Sequence, residues 1–307
     1  MGDTRTTAAQ YGRNQIPKII ELSWKKETRD SQLMLYRSSR LRLYDMKKQD
    51  NNKSSSRLIS LAASITETLF ALGLEDRVIG VTDTCDYPSE VLDLPNIGCW
   101  FEPNLETLYK LKPDLVIGLE TAHSDLEAPL KKVGIGLKLI NPTTVNQAIG
   151  VIAELGGLLG AVEAEIIVDR LNTRLKALDN AVAKISRRDR LTACRILEFD
   201  AGEVYVAGPL SFQYDIITRA GGINVTSDLD EAYPRIPLEQ LVELDPSFIF
   251  YCGYNLKYLE KMMENPVWHS IQAVDTGRVH RFPCELTCRF GPRIVDMTEL
   301  LHKNLYG

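Results

Sequence analysis

The stretch NLETLYKLKPDLVIG at Asn104 to Gly118 returns 133 positions later as PLEQLVELDPSFIFY at Pro237 to Tyr251, with Leu, Glu, Leu, Leu and Pro in the same places. Each copy reads as a short amphipathic helix, a proline that ends it, and an apolar run suited to a buried parallel strand. Leu105, Leu108 and Leu111 share one helical face before Pro113 stops the helix. Two such units in register point to two related lobes. The repeat also sets Glu106 and Glu239 at the same point of each copy, off the apolar stripe. Paired carboxylates facing solvent are what a two-lobed protein would offer to a partner that is itself twofold.

At 307 residues, 44% hydrophobic and 25% charged, the chain has room for two ordinary domains and the balance of a soluble globular protein, not of a fibre or a membrane span. The formal charge of -5 is unevenly spread: residues 1–56 hold 12 Lys/Arg against 6 Asp/Glu, which leaves 24 against 35 for the rest. The body is therefore acidic. That excludes the clustered Lys/Arg that nucleic acid requires and favours a neutral or cationic ligand, or a basic protein partner.

Residues 1–56 end in MKKQDNNKSSS, a polar run with too little apolar surface to fold alone, and read as a disordered extension. No apolar run of signal-peptide length occurs there, and the first cysteine is Cys85, so no lipoprotein cysteine follows an export signal. Met46, before Lys47 and Lys48, is a second candidate start. On these residues a cytoplasmic location stays open beside an exported one.

Strands alternate with helices from Arg57 to Pro142: RLISL, then a helix in which Ser64 and Glu67 form an S-x-x-E capping box, then VIGVT, DLVIG and KLI. This is an N-terminal α/β lobe over 57–142 with a parallel sheet and covering helices. Over 143–187 the apolar spacing turns helical and no proline interrupts it, which predicts a long connecting helix, broken if anywhere near Gly156 and Gly157. A second α/β lobe follows over 188–307, with strands ACRILEF and VYVA, a helix closed by Gly221 and Gly222, the repeat unit, and a last helix in GPRIVDMTELLHKNL. The fold class is α/β, two lobes joined by one long rigid helix.

The series RLISLAASITETLFALGLEDRVIGVTDTCDYP, CWFEPNLETLYKLKPDLVIG, VAGPLSFQYDIITRAGGINV, YPRIPLEQLVELDP, NPVWHSIQAVDTGRVHRFP and FGPRIV resembles the helical-backbone substrate-binding proteins of ABC importers, over Arg57 to Tyr306. These carry cobalamin, haem or ferric siderophores. CDYP at Cys85 to Pro88, Trp100 before the first repeat and Arg289 before GPRIV are most similar to the cobalamin-binding branch. The resemblance implies a monomeric, periplasmic or cell-surface protein that holds its ligand between two lobes with little hinge closure, without a required cofactor. It also implies that one glutamate per lobe, here Glu106 and Glu239, docks onto basic residues of the two permease subunits.

Loops that follow the strands supply the ligand candidates. In the first lobe these are Tyr87, Trp100, Phe101 and His123; in the second, Tyr205, Tyr233, Tyr254, Glu285 and Arg289. Flat rings stack on a corrin, porphyrin or catechol, and a few polar groups fix its orientation. Trp268 reads as structural. Arg289 could meet a ligand carboxylate or phosphate, or pair with Glu285.

Six cysteines are present; Cys194 lies in a strand, while Cys85, Cys99, Cys252, Cys284 and Cys288 fall on strand ends or loops. Cys85, Cys99, Cys284 and Cys288 are the candidate metal ligands, and free thiols, a disulfide and ligation of a soft metal or of corrin cobalt all remain open. There is no G-x-S-x-G elbow, no phosphate loop and no H-E-x-x-H, so an enzyme is not expected. The rival reading is a cytoplasmic protein of the same fold that binds a corrinoid or metal through these cysteines.

Overall fold

A computed structural model describes residues 56–200, 202–253 and 264–307. The polar extension up to residue 55 and the ligand candidate Tyr254 lie outside the described residues. The described chain divides into two compact units. The N-terminal unit runs to Lys184 and includes Cys288–Leu301; the C-terminal unit holds Ile185–Thr287 and His302–Gly307.

The N-terminal unit is built on β1 (Leu58–Ser60), β2 (Val78–Val81), β3 (Leu115–Leu119) and β4 (Gly136–Ile140), a parallel sheet in the order β2-β1-β3-β4. Ile59, Leu61, Ile97, Leu108, Val116 and Leu130 form its core cluster. Helix α1 (Ala63–Ala71) follows β1 and is buried from Ala63 through Leu69. That burial explains why the expected capping box does not form: the N-cap is Ala62, without a side-chain cap. Ser64 instead accepts a hydrogen bond from the Phe290 amide at 3.2 Å, and Glu67 binds two arginines.

The stretch expected as a single connecting helix is two helices that pack on each other, α3 (Val145–Leu159) and α4 (Glu163–Val182). Thr144 starts α3 by accepting from the Gln147 amide, and Gly160, at φ 70, ends it. The break falls at Gly160 because only that residue needs a left-handed backbone. Gly156 stays helical and serves packing, since a Cβ there would stand 2.2 Å from the Ala164 Cβ. On α4 the buried stripe is Ile167, Leu171, Leu175, Leu178 and Val182. Arg174 on the same helix binds Asp296 and Glu299 at 2.6 and 2.5 Å on the C-terminal helix Ile294–Tyr306.

In the C-terminal unit, β5 (Thr192–Asp200), β9 (Phe248–Cys252) and β10 (Val279–Phe282) run parallel, while β6 (Glu203–Val206) and β8 (Arg235–Pro237) are antiparallel additions, in the order β10-β9-β5-β6-β8. The sheet is thus mixed where a parallel one was expected, because the short turn at Gly202 folds VYVA back on β5. A two-residue β7 (Ile223–Asn224) pairs with the start of β5. Trp268 is fully buried in the core, its ring edge-on to Phe199 at 5.2 Å.

The sequence repeat is also a structural one. Helix α2 (Leu105–Leu111) ends on Lys112 at φ 47 before β3, and α6 (Leu238–Leu244) ends on Asp245 at φ 38 before β9. Helix α5 (Phe212–Arg219) lies between them in the chain. Lys112 and Asp245 are the non-glycine residues at positive φ among the described residues, so both copies make the same left-handed exit into a proline.

His280 on β10 stacks on Phe248 at 4.6 Å. Burial, and then the charge of Arg278, hold its pKa below the ordinary 6.5. The native ring is neutral while the unfolded chain protonates near 6.5, so the stabilisation is complete above that pH and is lost as pH falls toward the depressed native value. Thermal melts at about pH 7.5 and about pH 5 should show lower stability in acid, and His280→Phe should shrink that difference. An undiminished acid loss in the variant would move the cause elsewhere.

Candidate functional site

In the N-terminal unit the sequence-predicted residues follow the carboxyl ends of β2 and β3. In the N-terminal unit the chain leaves β1 for β2 on one side and then for β3 on the other, and ligands of open α/β sheets bind at such a reversal. The loops after β2 and β3 hold Tyr87, Trp100, Phe101 and His123.

Trp100 and Phe101 are presented to solvent, at 36% and 58% exposure, with their rings edge-to-face at 5.7 Å. Their loop is fixed from beneath. The Trp100 amide donates to Asp83 at 3.2 Å, and its carbonyl meets His123 Nε2 at 2.5 Å. His123 Nδ1 accepts from the Leu119 amide at 2.8 Å, so these partners place the ring proton on Nε2. His123, expected at the ligand, is fully buried and supports the aromatic loop from behind. Gly118 makes the space: a Cβ there would come within 2.9 Å of the His123 ring.

Tyr87 is half-buried, with the Arg293 guanidinium over its ring at 4.1 Å. Arg293 and Arg289 converge on Glu67, whose side chain is 2% exposed: Arg289 reaches it at 2.8 Å and Arg293 at 2.6 Å. Arg289 also binds Asp86 at 2.7 Å and donates to the Thr84 carbonyl. Burial opposes both guanidinium charges, but the hydrogen bonds and charge of Glu67 outweigh it and hold both pKa values above the ordinary arginine value. Arg289 is thus committed to Glu67 and Asp86, where the sequence had offered a ligand anion or Glu285. The network holds the CDYP loop at Thr84, Asp86 and the Tyr87 ring.

In the C-terminal unit Tyr205 lies on β6 beneath the Arg235 guanidinium, 4.3 Å from the ring centre, and Tyr233 is 39% exposed with its hydroxyl donating to Gln213. Glu285 lies in α7 (Cys284–Thr287), the helical turn after β10. A depression of about 510 Å³ in this unit is lined by Arg190, Thr192, Ser247, Gln272 and Arg278. It opens at the amino ends of β5, β9 and β10 and holds none of the predicted residues, so the carboxyl-end loops remain the better site.

The cysteines separate. Cys85 is buried and accepts from the Thr66 hydroxyl at 3.1 Å; Cys99 is half-buried on the loop before Trp100; Cys288 is exposed. Burial pushes the Cys194 thiol up to about 12, which keeps it protonated. Cys284 is grouped with Cys252, not with Cys85 or Cys99, and Arg195 Nη2 lies 3.1 Å from Cys252 Sγ. Arg195 and Cys252 were absent from the candidate ligand set. The available signal was an arginine inside the apolar strand ACRILEF, since a charge buried in a strand calls for a partner.

Glu106 and Glu239 both lie exposed in the first turn of their seven-residue helices, α2 and α6. Glu106 is bound to Lys110 at 2.6 Å. Among the described residues no helix is long and apolar enough to cross a membrane.

The profile of the periplasmic binding protein family matches residues 58–286. An ABC transporter substrate-binding lipoprotein of Bacillus subtilis (strain 168), YvrC, is 29% identical over 262 residues, covering 83% of this chain and 81% of that protein. The vitamin B12-binding protein of Salmonella typhi is 26% identical over 201 residues, 65% of this chain and 73% of its own. Among solved structures, a periplasmic haem-binding protein from Pseudomonas aeruginosa superposes with a TM-score of 0.73 at 23% identity, covering 82% of this chain and 92% of that one.

Proposed function

The chain belongs to the periplasmic binding protein family, and from that premise we propose that it is the substrate-binding component of an ABC import system whose cargo is a corrinoid. The observation that carries the ligand class is the pair of exposed rings, Trp100 and Phe101, on a loop held by Asp83 and His123. A preorganised aromatic surface loses little freedom on stacking against a flat macrocycle, so burial of its area goes into affinity. Tyr87, fixed by Arg293, and Tyr233, fixed by Gln213, offer further rings of the same kind. The similarity to a vitamin B12-binding protein supports a corrinoid ahead of haem or a ferric siderophore. The lipoprotein among its relatives supports a place of action outside the cytoplasmic membrane. Glu106 and Glu239 are the docking acids for the permease.

Titration of the purified protein with cobalamin, cobinamide, haem and ferric siderophores tests the reading, followed by absorbance and calorimetry. A corrinoid should bind with a spectral change. Trp100→Ala should weaken it by about 10-fold, the effect of losing ~1.5 kcal/mol of aromatic contact. Binding of haem or a siderophore with no response to corrinoids would reassign the cargo, and binding of none would remove the transport reading.

A further inference from the structure

We propose that Cys252 and Cys284 form a binding site for a soft, thiophilic metal ion of the copper(I) class. Parallel pairing of β9 with β10 sets Cys252 opposite Phe282, at the carboxyl end of both strands. Pro283 then turns the chain into α7, and Cys284 at its start returns to the same spot, with its sulfur within 4.8 Å of Cys252 Sγ. With metal–sulfur bonds of about 2.3 Å, two sulfurs this close can share one ion. Both residues are half-buried, which leaves a path for entry and excludes bulk water on one side.

The third component is Arg195. It is 1% exposed on β5, and its Nη2 donates to Cys252 Sγ at 3.1 Å. A buried guanidinium against sulfur complements the negative charge of a ligating thiolate, as outer-shell donors do in metal sites. Thiolate pairs select soft ions over magnesium or calcium, which take oxygen ligands. On binding, each sulfur that is still protonated releases its proton to solvent and forms one bond to the ion; no electron is transferred.

The test is a competition titration of the fully reduced protein with copper(I) buffered by a chromophoric chelator. The protein should take one equivalent from the chelator. Cys252→Ser and Cys284→Ser should each lose at least about 100-fold in affinity, more than the loss of an outer-shell partner costs, while Cys99→Ser keeps the wild-type value. X-ray absorption of the loaded wild-type protein guards against variants that fail to fold, and should show two or more sulfur neighbours at about 2.3 Å. Failure to compete for the ion, unchanged affinity in both serine variants, or a copper shell of nitrogen and oxygen alone would overturn the proposal.

Discussion

Cells carrying Glu106→Lys together with Glu239→Lys are expected to lose import of the cargo, while the purified double variant binds it with unchanged affinity and melts at the wild-type temperature. Both glutamates are exposed, so neither supports a core. The 2.6 Å bond from Lys110 to Glu106 joins side chains 71% and 77% exposed, and such a pair contributes at most about 0.5 kcal/mol to the fold. Against a basic permease surface the reversal is a different matter, because like charges set face to face cost several kcal/mol, and a drop in uptake on the order of 100-fold follows. Normal uptake by the double variant would leave the two acids as a solvated face of a repeated helix.

Glu67→Ala should destabilise the N-terminal unit by about 3–5 kcal/mol, because it leaves two largely buried guanidinium groups without their shared carboxylate. Arg289 and Arg293 are 13% and 18% exposed, so water does little to replace the lost partner. For a unit of this size that corresponds to a fall of about 10 °C or more in melting temperature. The same change frees the clamp on Tyr87 and should weaken cargo binding as well. Replacing all three together, Glu67→Leu with Arg289→Met and Arg293→Leu, should recover most of the stability, since a buried ion triad is often no better than apolar packing of similar volume. It should not recover binding. A melting temperature within a degree or two of wild type for Glu67→Ala would show that the triad is not what holds the CDYP loop.

The two-lobed α/β plan was legible because it rests on signals that survive in a single chain: strand–helix alternation, and a unit repeated with its proline in place. What failed was local. Ser64 and Glu67 have the spacing of a capping box, but helix α1 is buried from Ala63 through Leu69, and tertiary partners from Phe290, Arg289 and Arg293 claimed both side chains. The continuous apolar period across 143–187 hid a turn at Gly160, since spacing alone does not report φ. Trp100, Phe101 and Tyr233 are exposed as their loop positions suggested. His123 could not be told from a ligand group because its burial depends on Gly118 being small enough to admit it. Arg289 paired across 222 residues of sequence, a distance over which no pattern carries information.

The repeated helix is duplicated in shape and not in charge. Four residues after Glu106 stands Lys110, which neutralises it; four residues after Glu239 stands Glu243, also exposed, which doubles it. A permease with two identical halves would therefore meet one face of zero net charge and one of two negative charges. Within a screening length of about 8 Å the face with Glu239 and Glu243 exerts the stronger pull on basic groups, and the face with Glu106 and Lys110 the weaker. A partner with two identical halves would be met by a carrier whose two faces differ in charge.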